Sequence, residues 1–150
     1  ISLYKLYSDE NNGWNRKICN LLIPVKGIRN AAAHNNCILN SLQRPYSASR
    51  TATITNQIDS FVSRIPELKK SKSRKTKLTN PVIHDFVALL CLFDKVCTSS
   101  STKAYTYDSL YHLFSDRFLR HADYFTSNAS IVSSYEFVRK IVYFLYESQS

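Results

Sequence analysis

The chain has 150 residues, 44% of them hydrophobic, which suits one domain with one core. Two glycines and four prolines are few, so tight hairpins and glycine-rich phosphate loops are excluded and a helical chain is expected. Twenty basic residues against eleven acidic ones leave a formal charge of +9, a surplus that implies a polyanionic partner such as nucleic acid, or an acidic membrane surface.

Taken in chain order, Ile18, Leu21, Leu22, Val25, Ile28, Ala32 and Ala33 recur at intervals of three and four between Trp14 and Asn36, the mark of one helix face. Pro24 removes an N–H and crowds the preceding turn. A break near Ile23 and a second helix starting at Pro24 are therefore expected. The polar stretch 40–52 reads as a loop, and Ile54 to Ile65 as a short helix that Pro66 ends.

Lys69, Lys70, Lys72, Arg74, Lys75 and Lys77 put six cations in nine residues. They are candidates for contact with an RNA backbone, each neutralised phosphate adding salt-dependent affinity. A solvated loop is the plainer alternative. Asn80-Pro81 then predicts a helix start, a capping side chain followed by a proline at the first helical position. The apolar residues from Val82 to Val96 make this helix the expected centre of the core.

Residues 98–103 read as a loop and Thr106 as the cap of the next helix, with Arg117, Arg120 and His121 at its end. A last helix is expected from Ser134 to Glu147. Cysteines at 19, 37, 91 and 97 form no CxxC pair, so neither a structural zinc site nor a disulfide framework is expected. No apolar run approaches the roughly 20 residues that span a bilayer, and neither a membrane span nor a signal peptide is expected.

Chemistry concentrates in residues 28–40, IRNAAAHNNCILN. On a helix Asn30 and His34 face the same way, with Arg29 one position round. A cation, an amide and an imidazole thus meet on one patch kept low by Ala31, Ala32 and Ala33. Cleavage of a phosphodiester by a ribose 2′-hydroxyl needs such parts: a proton carrier, a cation for the phosphorane charge and an orienting hydrogen bonder. His84 beside Asp85 reads as a polar helix-face residue, and the carboxylates form no spaced pair suited to magnesium.

The string Arg29-Asn30-Ala31-Ala32-Ala33-His34 resembles the Arg-Asn-x-x-x-His motif of HEPN ribonucleases. Ala33-His34-Asn35 with Leu39-Asn40 extends the resemblance to the Abi-like abortive-infection proteins of the AbiD and AbiF type. Cys37 stands where that family usually has arginine, and Leu39 where it often has an aromatic residue. DRFLRHADYF and EFVRKIV near the end are also similar to the family's C-terminal region.

The resemblance implies an all-α, HEPN-like bundle and a metal-independent, cofactor-free endoribonuclease of phage defence or a toxin–antitoxin system, working in the cytoplasm. His34 would move the proton, Arg29 hold the phosphate and Asn30 orient it. The implied partners are RNA, a second copy of the chain in a homodimer, and a restraining antitoxin protein or small RNA. Family members are longer, so the single domain of residues 1–150 is expected to correspond to the C-terminal part of such a chain. The alternative is a helical module that binds RNA without cutting it.

Overall fold

The computed structural model describes residues 13–34 and 51–149. Seven α-helices follow one another there: α1 (Gly13–Ala33), α2 (Asn56–Ser63), α3 (Pro66–Lys69), α4 (Ser73–Leu78), α5 (Pro81–Val96), α6 (Ser100–His112) and α7 (Ala129–Glu147). Among the described residues there is no strand, and the protein is all-α.

Local chemistry sets most of the helix starts. Asn80 Oδ1 accepts from the backbone N–H of Val82 at 3.0 Å and of Ile83 at 3.4 Å, with Pro81 at the first helical position, as the Asn-Pro pair predicts. Thr55, Ser99 and Asn128 cap α2, α6 and α7 in the same manner, each accepting from an N–H three residues on. Ser99 therefore starts α6 inside the stretch read as a loop, because its hydroxyl supplies the acceptor that the first turn needs. Asn128 likewise starts α7 ahead of Ser134.

The core gathers around α5, whose Ile83, Val87, Ala88, Leu90 and Cys91 are buried. It packs against α1, α2, α4 and α7, while α7 also lies along α6. On α7 the buried residues Ile131, Ser134, Val138, Ile141, Val142 and Leu145 keep the spacing of one helix face. Burial pushes the Cys91 thiol up to about 11, which makes it an inert packing group.

Pro24 does not break α1, contrary to the sequence expectation; the helix is continuous from Gly13 to Ala33. An interior proline costs about 3 kcal/mol, and the long contact of α1 with α5 supplies the compensating burial. At Gly27 the Asp85 carboxylate of α5 comes close to α1: a Cβ there would lie 3.2 Å from Asp85 Oδ2.

Two breaks in regularity follow α6. Leu113–Arg117 forms a π-helical turn in which the Phe118 N–H bonds to the Leu113 carbonyl at 3.0 Å, and the Leu119 N–H turns instead to Asp116. The Phe114 carbonyl, left without a helical donor, accepts from the Tyr135 hydroxyl of α7. Buried Phe114 stacks on Tyr135 and meets Phe118 edge-on. A 3₁₀ turn at Ala122–Tyr124 then leads to α7.

No helix among the described residues is long and apolar enough to cross a membrane.

Candidate functional site

The last two turns of α1 carry Arg29 and Asn30, and His34 follows in the turn that closes the helix. The His34 N–H still bonds to the Asn30 carbonyl at 3.0 Å, so the helical spacing of the pair is preserved. Arg29 and His34 are exposed and Asn30 is half-buried. Ala32 and Ala33 between them are also exposed, leaving a shallow surface that a strand of RNA or another helix can approach.

Arg64, Arg74, Arg120 and Arg139 each pair with a carboxylate. Arg29 shares with Arg117 and the exposed Lys69, Lys70, Lys72 and Lys75 the lack of a carboxylate partner among the described residues. The continuation of the motif, including Cys37, Leu39 and Asn40, lies outside the described residues, as does most of the loop expected at 40–52.

The basic run separates into two kinds of residue. Lys69, Lys70, Lys72 and Lys75 are exposed. Arg74 is turned into the fold: its Nη2 lies 3.0 Å from Asp59 Oδ1, and its Nη1 donates to the Lys69 and Leu68 carbonyls at 2.9 and 3.4 Å. Lys77 Nζ donates to Ser133 Oγ at 2.6 Å and to Ser134 Oγ at 3.2 Å, tying α4 to α7. Burial lowers the Lys77 ammonium below the ordinary lysine range. Four lysines, not six cations, are therefore free to face a polyanion, and they stand on α3, α4 and the turn between them.

His84 is buried, its Nδ1 3.1 Å from Asp85 Oδ1 and its Nε2 closed off from solvent. It has no open path to an RNA substrate. Arg120 is spent on Asp116 at 2.6 Å, and His121 stacks on Tyr124. No group of three histidines, cysteines or carboxylates among the described residues is placed to hold a metal ion.

A second concave surface went unnoticed in the sequence. An open groove of about 400 Å³ lies between the start of α3 and the end of α7, with Ile65 and Phe144 as its apolar wall and Glu67, Arg139, Tyr143 and Glu147 around it. The four-residue spacing of Arg139, Tyr143 and Glu147 aligns them on one helix face, a signal that was legible, but nothing local indicates that α3 closes against them.

Compared with family models, with curated proteins and with solved structures, the chain matches none.

Proposed function

We propose that the chain is a HEPN-type endoribonuclease that cuts RNA without a metal ion, in abortive phage defence or a toxin–antitoxin system of the cytoplasm. The observation that carries this reading is the exposed Arg29/His34 pair at the end of α1, with Arg29 unspent on any carboxylate among the described residues. It is supported by the resemblance of the Arg29–His34 string to the HEPN motif and by the net charge of +9.

In the reaction proposed, a base takes the proton of a ribose 2′-hydroxyl and its oxygen attacks the adjacent phosphorus. The P–O5′ bond breaks, and an acid returns a proton to the leaving 5′-oxygen. The products are a 2′,3′-cyclic phosphate and a 5′-hydroxyl. Arg29 neutralises the phosphorane charge, Asn30 orients the phosphate, and His34 carries the proton.

Base and acid are two roles, and the motif supplies one histidine. A homodimer that brings two copies of the α1 end together across a twofold axis supplies the second. The low surface of Ala32 and Ala33 lets two such helices approach.

The test is His34→Ala. Loss of RNA cleavage with RNA affinity retained supports the nuclease, while a wild-type protein that binds RNA and never cuts it contradicts it. Titrating His34→Ala protein into wild type tests the shared site: activity should fall more steeply than the wild-type fraction, and strict proportionality would refute a composite centre.

A further inference from the structure

We infer that the groove between α3 and α7 is a base-binding subsite for single-stranded RNA with a preference for guanine, an inference that rests on the RNA reading above. Its volume of about 400 Å³ falls in the ordinary range of small-ligand sites, about 300–1,000 Å³. One wall is apolar, Ile65 and Phe144, and the rest carries side chains suited to the face and the edge of a base.

The face is provided by Arg139. Its guanidinium sits 5.2 Å from the Tyr143 ring centroid, and Nη2 bonds to Glu136 at 2.7 Å, so the plane is held from one side and along one edge. About a third of the side chain, 34%, remains exposed. Guanidinium planes and aromatic rings are the surfaces on which proteins stack unpaired RNA bases.

Edge recognition falls to Glu147. Glu67, the other carboxylate of the groove, is committed to Lys140 at 2.9 Å. The Glu147 side chain makes no hydrogen bond or ion pair among the described residues and is exposed. A carboxylate has two acceptor oxygens and no donor. Guanine presents adjacent N1–H and N2–H donors on its Watson–Crick edge; adenine and cytosine place an amino group beside an acceptor nitrogen, and uracil places one N–H between two carbonyls. Guanine is therefore the base that a single carboxylate can grip with both oxygens.

The position of the four free lysines completes the site. Pro66 and Glu67 line the groove at the start of α3, and Lys69 ends the same helix, about one turn or ~5 Å along the axis. Lys70, Lys72 and Lys75 continue from there. Lys140 Nζ meets Glu67 Oε2 at 2.9 Å between α7 and α3, and Arg74 holds the α3 carboxyl end through the Lys69 and Leu68 carbonyls. The lysines thus lie where phosphates flanking a bound base would run.

The experiment is fluorescence anisotropy with the full chain and single-stranded 2′-fluoro oligonucleotides, which lack the hydroxyl needed for cleavage. One probe is all uridine, one has a single guanosine, and one has inosine in that place, which lacks the 2-amino group. The guanosine probe should bind about tenfold more tightly than the uridine probe, the scale of one bidentate base contact, with inosine between them. Glu147→Gln should bring the ratio of guanosine to uridine affinity from about ten down to near one, with circular dichroism confirming the fold. Equal affinity for guanosine and uridine, or a full preference in Glu147→Gln, would overturn the subsite. The two readings fail separately: cleavage without guanine preference sinks the subsite, whereas guanine preference without cleavage sinks the nuclease and keeps the subsite.

Discussion

Arg74 Nη2 lies 3.0 Å from Asp59 Oδ1 with only 12% of the arginine side chain exposed, so the most sheltered of these two partners is a cation from the middle of the basic run. The pair joins α2 to α4, and the same guanidinium donates to the Lys69 and Leu68 carbonyls at the end of α3. Removing it takes the guanidinium from the Lys69 carbonyl and the Asp59 carboxylate, while the Leu68 carbonyl keeps the Ser71 N–H at 3.2 Å.

Arg74→Ala should therefore cost about 1.5–3 kcal/mol, the scale of hydrogen bonds to charged groups, or a fall in Tm of roughly 4–10 °C. Alanine at Lys69, Lys70, Lys72 and Lys75 together should shift stability far less, because exposed side chains without buried partners contribute little. Thermal unfolding of the two variants distinguishes them, and a quadruple variant as unstable as Arg74→Ala would contradict this division.

The same quadruple variant has a second readout. If the four lysines follow the RNA backbone, the slope of log affinity against log salt for single-stranded RNA should fall by about three, since each phosphate contact on a single strand contributes about 0.7. An unchanged slope would return these lysines to a solvated face.

Asp94 makes a prediction about acid. It receives Lys103 Nζ at 3.2 Å, Arg64 Nη1 at 3.2 Å and the hydroxyl of buried Tyr107 at 3.3 Å. Burial pushes its carboxyl up, but the hydrogen bonds and charges of Lys103 and then Arg64 outweigh that and hold it below the usual carboxylate range. A carboxyl held low in the folded state stabilises the protein above its unfolded value of about 4 and loses that contribution as pH falls through the folded value. Stability should decline below about pH 4 in the wild type, and Asp94→Asn, already lacking the charge, should be less stable at neutral pH and decline less steeply in acid. Parallel pH profiles for the two proteins would contradict this role.

The features legible in the sequence are those whose cause is local. Asn80-Pro81 starts a helix because the cap, the proline and the donors lie within four residues, and the apolar spacing of α5 and α7 marks their buried faces directly. The continuity of α1 through Pro24 was not legible, since the contact that compensates the proline is with α5, more than fifty residues away. A separation of 56 and 57 residues hid the engagement of Lys77 with Ser133 and Ser134, and even the 15 residues between Arg74 and Asp59 exceed what helix spacing reveals. Ser99 was obscured by neighbours that could cap equally well. In the candidate site, the spacing of Asn30 and His34 along one face was readable because a helix imposes it, whereas the groove required knowing that α3 meets α7.

The central claim is that Arg29, Asn30 and His34 form a ribonuclease centre that works through the ribose 2′-hydroxyl. Its most direct measurement is the chemistry of the product ends after RNA is incubated with the purified protein in EDTA. The account predicts cleavage in chelator, with 2′,3′-cyclic phosphate or 3′-phosphate on one fragment and a 5′-hydroxyl on the other; fragments ending in 3′-hydroxyl, or cleavage that stops when metal is removed, would contradict it.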